Sequence, residues 1–193
     1  MVDREALTYM PTLETPRLTL RRLAMRDAPD IFAYSRDPEV AEHVLWDAHR
    51  SIFDSRSYIR YMQRKYRMGE PASWGIVNKA TGKVIGTIGF MWIQPENAAA
   101  EVGYSLARAC WNQGIMTEAL KRVIQYGFES MGLNRIEAQH ETTKPASGAV
   151  MRKCGMQHEG LLRQRLMNKG RYVDVELYAI LRRDWRNHKK KNP

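Results

Sequence analysis

Residues 111–119 read Trp111-Asn112-Gln113-Gly114-Ile115-Met116-Thr117-Glu118-Ala119. Before them, Glu101 to Leu106 predicts a strand. After them, Thr117 to Met131 carries Leu120, Val123, Ile124 and Phe128 at the spacing of an amphipathic helix. A strand that passes through a glycine-bearing turn into a helix presents unpaired backbone N–H groups at the positive end of the helix dipole, a ready site for phosphate groups. No Gly-Lys-Ser/Thr follows, so this is not a Walker loop, and Gly114 is the only glycine, so it is not a dinucleotide fingerprint.

Working outward, Thr19 to Leu23 predicts a first strand, and Asp27 and Pro29 open a helix whose buried face is Ile31, Phe32 and Tyr34. From Ser51 to Met68, Ile52, Tyr58, Ile59, Met62 and Tyr66 recur near helical spacing with Arg and Lys opposite. Ser73–Val77 and Val84–Phe90 predict strands joined by a hairpin turn at Thr81-Gly82, the latter running to about Ile93 before Pro95-Glu96-Asn97 turns the chain. Arg135–His140 predicts a strand, Pro145 opens a helix that stops at Gly155, and two strands flank Asn168-Lys169-Gly170. This order predicts an α/β (α+β) chain with a mixed, mostly antiparallel sheet of about seven strands and helices on both faces. No repeat or linker divides it, so residues 1–193 are expected to form one domain with its core at 13–185 and a basic tail at 186–193.

The glycine loop resembles the acetyl-coenzyme A loop of the GNAT acetyltransferases, Q/R-x-x-G-x-G/A, read here as Trp111-x-x-Gly114-x-Met116. Tryptophan at its first position and Thr117-Glu118-Ala119 after it are similar to the branch that acetylates ribosomal-protein N-termini, the alanine N-acetyltransferases among them. Leu13–Arg21, Lys83–Phe90, Glu101–Leu106, Lys153–Gly160 and Tyr172–Tyr178 resemble further segments of that branch, in order, over roughly residues 13 to 185. Methionine, Met156, stands where the branch has phenylalanine.

The resemblance implies an N-acetyltransferase that moves acetyl from acetyl-coenzyme A to a primary amine by direct attack. It implies that backbone groups of Leu106, Ala107 and Arg108 hold the pantetheine arm, and that the N–H groups of Asn112, Gln113, Gly114, Ile115, Met116 and Thr117 hold the pyrophosphate. It also implies Ser147 as the acid that protonates the leaving thiolate, in a pattern Lys144-x-x-Ser147 where the branch has asparagine; Ser147 equally suits the first turn of a helix. For the base, the branch position corresponds to Gln94. Glu101 is the first choice, Glu96 another, and a water relay remains open. Holding amine and thioester in line can supply roughly 7–11 kcal/mol in favourable systems, so such a site needs no triad. The acceptor expected from the branch is a protein N-terminal α-amine; a polyamine, aminoglycoside or amino acid is the alternative.

Composition bounds the rest. The chain is 44% hydrophobic and 27% charged, as globular proteins are, without an apolar run of membrane-spanning length. Met1 to Met10 is acidic and lacks the apolar core of a signal peptide. Cys110 and Cys154 make no disulfide framework, which predicts a cytoplasmic protein and two structural thiols. The histidines show no ligand spacing, and no metal is expected. The net charge of +10 is uneven: residues 1–120 hold 15 Lys/Arg against 14 Asp/Glu, residues 121–193 hold 16 against 7. Part of that surplus suits coenzyme A phosphates, and Lys189-Lys190-Lys191 reads as a solvated tail. No helix-turn-helix, zinc or RNA-motif signature accompanies it, so sequence-specific nucleic-acid reading is not expected; a non-catalytic basic module on ribosome or nucleic acid is the rival class. Edge strands in such a sheet would allow a homodimer. Tyr104 and His140 are further polar candidates, and Trp46, Tyr58 and Trp92 are candidate walls of an acceptor pocket, though packing in a core explains each equally well.

Overall fold

In Leu18-Thr19-Leu20-Arg21 both leucines are fully buried while their neighbours are only partly so, the alternation of a strand with one face on a core. The computed structural model describes residues 9–191. The stretch 1–8, where most of the signal-peptide reading falls, and residues 192–193 lie outside the described residues. The strands are β1 (Leu13–Glu14), β2 (Leu18–Arg21), β3 (Ser73–Asn78), β4 (Val84–Gln94), β5 (Ala99–Leu106), β6 (Arg135–Glu141), β7 (Gln157–Asn168) and β8 (Arg171–Leu181). The helices are α1 (Ala28–Ser35), α2 (Pro38–Ala41), α3 (Ile52–Met68), α4 (Ile115–Glu129), α5 (Pro145–Lys153) and α6 (Arg182–Lys191).

All eight strands join one sheet in the order β1-β2-β3-β4-β5-β6-β8-β7, antiparallel except for β5 and β6. Eight replaces the expected seven because Leu13 pairs with Leu20 as a two-residue edge strand. Successive strand residues face opposite ways, so Ile76 joins a core with Leu120, Val123 and Ile124 of α4, while Val77 joins a second with Ile31 of α1 and Ile59 and Met62 of α3. Helices thus cover both faces.

Two local expectations change. Asp27 precedes α1, yet its carboxylate accepts from the Ala24 N–H (2.8 Å) and from both terminal nitrogens of Arg21 (2.8 Å each), so it fastens β2 to the turn instead of capping the helix. The segment 186–193, expected as a tail, is helical through Lys191, and Trp185 of α6 stacks on Phe128 of α4 at 5.6 Å. Six basic side chains in twelve residues hid that helix, because its single aromatic anchor leaves no periodic apolar signal.

The site follows from how β5 and β6 part. They pair only from Ala99–Arg135 to Glu101–Glu137, and beyond Glu101 strand β5 keeps β4 as its sole partner. A bulge in β4 between Phe90 and Trp92 lies opposite that point, and its extra residue, Met91, packs over Gly103, where a Cβ would meet its sulfur at 2.9 Å. A bulge bends and twists its strand, here at the point where the two strands begin to diverge.

Candidate functional site

Between the diverging strands lies an open cavity of about 520 Å³. One wall is β5 from Val102 to Leu106; the other is Gln139 to Glu141 of β6 with the start of α5, and the turn before α4 closes one end. That volume is within the usual range for ligand pockets.

The turn is built as the sequence predicts, with the helix starting two residues sooner, at Ile115. Asn112 and Gly114 both have positive φ (60° and 73°), so the N–H groups around them turn into a concave array. The N–H groups of Ile115, Met116 and Thr117 have no partner within α4 by helix geometry. Around Gly114 there is room, a Cβ meeting only the Arg17 guanidinium at 3.5 Å, so glycine is required by its backbone angle. Sequence reading missed what holds this turn. Glu118, in the first turn of α4, accepts from the Thr15 hydroxyl (2.6 Å), the Arg17 N–H (2.9 Å) and the Arg17 Nε (2.6 Å), while Arg17 Nη1 donates to the Gln113 carbonyl (3.0 Å). These bonds hold the Glu118 carboxyl below its ordinary range despite the opposing push of burial. The contact spans 101 residues of sequence, and only the segment resemblance at both ends hinted at it.

Of the predicted pantetheine positions, Leu106 lines the cavity whereas Ala107 and Arg108 do not. The Leu106 carbonyl accepts from the Trp111 indole (2.8 Å), the Ala107 N–H donates to the Ile85 carbonyl (2.8 Å), and Arg108 pairs with Asp37 and Glu39. Asn112, Gly114, Ile115, Met116 and Thr117 line the cavity; Gln113 turns its side chain to the Ala109 carbonyl (2.8 Å).

Ser147 lies in the first turn of α5 and on the cavity wall, and its carbonyl accepts from the Tyr104 hydroxyl (3.2 Å), which also lines the cavity. Lys144 occupies the N-cap position without capping, since a lysine has no acceptor to offer. Its ammonium instead lies 4.6 Å from the centre of the Trp111 ring, and burial lowers its pKa. Trp111 and Lys144, the two departures from the family pattern most visible in the sequence, therefore touch.

Glu101 is one side chain behind the wall. It accepts from Trp92 Nε1 (3.0 Å) and from Gln139 (3.1 and 3.2 Å), and Gln139 faces the cavity. Burial raises its pKa, against the lowering effect of those two donors. Gln94 and Glu96 are exposed around the β4–β5 turn, outside the cavity. Trp46, Tyr58 and Trp92 do not line it either: the first two flank His49 (ring centres 5.6 and 6.4 Å) on the second core.

The far wall carries groups that no motif announced. Glu141, 5% exposed, accepts from Asn168 and lies 3.2 Å from His43 Nδ1; both Glu141 and His43 line the cavity. Burial pushes the Glu141 carboxyl up, but the Asn168 amide and His43 outweigh it and the net shift is down. His140 Nδ1 bonds the Glu141 carbonyl (2.7 Å) and Nε2 is buried without a partner among the described residues. Cys110 lines the cavity; Cys154 is buried, its Sγ donating to the Thr117 carbonyl, and burial pushes its thiol up to about 12. Among the described residues, no group of three or more His, Cys, Asp or Glu is placed to hold a metal ion, and no helix is long and apolar enough to cross a membrane.

A concave N–H array, a half-free strand edge and a cavity joining them fit a long phosphate-bearing thioester. Comparison with known proteins points the same way. A family model for the acetyltransferase (GNAT) domain matches residues 17–157. An uncharacterized N-acetyltransferase, p20, of Bacillus licheniformis is 38% identical over 176 residues, covering 91% of this chain and 99% of that one. The [ribosomal protein uS5]-alanine N-acetyltransferase of Escherichia coli is 25% identical over 178 residues, covering 90% and 92%. The microcin C7 self-immunity acetyltransferase MccE, solved in complex with acetyl-coenzyme A and AMP, shares the fold with a TM-score of 0.79 at 24% identity, covering 86% of this chain and 93% of that one. A match that spans the loop, both diverging strands and the helices packed on them leaves one assignment: the chain belongs to the GNAT family of N-acetyltransferases, which take their acetyl group from acetyl-coenzyme A.

Proposed function

We propose that this acetyl-coenzyme A-dependent N-acetyltransferase acetylates a protein N-terminal α-amine within a single catalytic domain, in the cytoplasm where Cys110 and Cys154 stay thiols. The observation that carries the reading is the cavity between β5 and β6, bounded at one end by the N-terminus of α4 and lined along its wall by titratable side chains. The acceptor class is supported by the likeness to the uS5-alanine enzyme over 90% of the chain.

The thioester supplies an activated acetyl group. The chain's own residues have three tasks. The N–H groups of the turn from Asn112 to Thr117, held in place by the Arg17–Glu118 pair, bond the phosphate oxygens, while the free edge of β5 near Leu106 orients the arm. Positioning amine and thioester in this way supplies the largest share of the rate. Ser147 donates a proton to the departing sulfur. Glu101, whose carboxylate is made a stronger base by burial, draws the amine's proton through a water beside Gln139, since it does not itself reach the cavity. Lys144, above Trp111, occupies the place of the branch's asparagine and adds positive charge to the same wall.

A second reading has its own observation: Glu141, buried and held ionised on the cavity wall, would attract a small cationic amine. Thiol release from acetyl-coenzyme A, measured with alanine- and serine-initiated peptides in parallel with spermidine, an aminoglycoside and free amino acids, separates the two. Turnover on peptides is expected. Turnover confined to polyamines or aminoglycosides would reverse the assignment of acceptor.

A further inference from the structure

The outer face of α3 is a charged surface, and no residue of this helix lines the cavity. The helix buries Ser55, Ile59, Met62 and Tyr66. Arg56, Arg60, Arg64 and Arg67 are exposed, and at 100° per residue they fall within about 80° of the helix circumference. At 1.5 Å per residue they run over about 16 Å. None of the four has a carboxylate at ion-pair distance among the described residues. The helix's one acidic residue, Asp54, is spent at its start, accepting from the N–H groups of Arg50 (2.8 Å) and Ser51 (2.9 Å). Solvated helix faces ordinarily intersperse opposite charges at i and i+4, whereas here Arg56, Arg60 and Arg64 repeat like charge at that spacing, which is destabilising.

Beside the arginines runs a strip of large apolar side chains: Phe53, Tyr61 and Met68 are 66%, 52% and 59% exposed. Each lies against a cation: Arg56 over Phe53 at 5.7 Å, Lys65 over Tyr61 at 5.4 Å, and Arg64 Nε on the Met68 sulfur at 3.4 Å. A line of unpaired guanidinium groups flanked by exposed aromatic rings is complementary to a single-stranded polyanion whose phosphates pair with the arginines and whose bases stack on the rings. We propose that this face of α3 binds single-stranded nucleic acid without sequence preference. The total charge of residues 1–120 hides it, because the carboxylates that balance the count lie elsewhere. The proposal does not depend on the acceptor or on catalysis.

Anisotropy of a fluorescein-labelled oligouridylate tests it. Four phosphate contacts predict a log–log salt slope of about −3, or about 50-fold weaker binding at 200 mM than at 50 mM salt. The variant R56Q/R60Q/R64Q/R67Q is expected to lose that slope, with acetyl-coenzyme A titration and circular dichroism unchanged. A slope retained in full would assign the binding to another basic surface and overturn the proposal. F53S/Y61S is expected to weaken binding about 30-fold or more at an unchanged slope through the loss of two stacking rings. Unchanged affinity in that variant overturns the single-stranded assignment, and competition by poly-glutamate as effective as that of unlabelled oligouridylate would make the partner an acidic polypeptide instead.

Discussion

Gly114 was legible in the sequence as the glycine of a strand-to-helix turn, and the structure adds why it is glycine. With φ at 73° and space beyond it, the obstacle to a side chain is the backbone conformation itself. Gly114→Val therefore faces about 1–2 kcal/mol of left-handed strain, relieved by moving the N–H array. The expected outcome is loss of acetyl-coenzyme A binding in calorimetric titration; wild-type affinity would sink the loop assignment. Ser147 presents the opposite case, a residue type with two ordinary uses. It starts α5 and also lines the cavity, while the N-cap position itself belongs to Lys144. Ser147→Ala is expected to lower kcat by about 10²-fold, the lower range for general acid catalysis, with little change in KM for acetyl-coenzyme A. A variant with full kcat would remove the hydroxyl from the chemistry.

At the scale of elements, the β7–β8 hairpin is tied to the cavity wall. Asn168 at its turn donates to Glu141, and Lys169 donates to the carbonyls of Ala41 (2.7 Å), the last residue of α2, and Val44 (2.8 Å) just beyond it. Asn168→Ala leaves a buried carboxylate oxygen without its donor, and urea denaturation is expected to show about 1–3 kcal/mol lost. The pH dependence has a definite sign. A carboxyl whose folded pKa is depressed lends stability above its ordinary value of 4.5, and that stability is lost as pH falls through the folded value. The urea midpoint of the wild type should therefore exceed that of Glu141→Gln at neutral pH, with the gap closing as pH falls below about 4.5. A gap independent of pH would count against an ionised Glu141. No sequence signal marks this cluster, since His43, Glu141 and the pair Asn168-Lys169 converge from three separate segments.

Over the whole molecule, the parting of β5 from β6 decides where the cavity lies. Paired over three residues only, the two strands have little hydrogen bonding to hold them around the cavity. A ligand that spans the gap should stiffen it. At 100 times Kd, acetyl-coenzyme A is expected to stabilise the fold by about 2.7 kcal/mol, visible as a rise in Tm of several degrees for a chain of this size. Amide exchange from Val102 to Leu106 should slow on the same addition. An unchanged Tm at saturation would contradict binding in this cavity.

The order of the seven strands other than β1, the hairpin at Thr81-Gly82 and the Gly114 turn were determined by the sequence alone, because periodicity, turn chemistry and helix ends depend on neighbours along the chain. The resemblance of short segments carried the family. Tertiary structure decided what those local rules cannot reach. It set Glu101 behind the wall, spending its carboxylate on Trp92 and Gln139, and took Trp46 and Tyr58 away from the cavity into the second core. It brought Lys144 onto Trp111 and Arg17 onto Glu118 across 101 residues of chain. It also turned the basic C-terminal segment into a helix held by Trp185. Each of these outcomes is fixed by which surfaces the sheet brings face to face, and packing of that kind depends on residues distant in sequence.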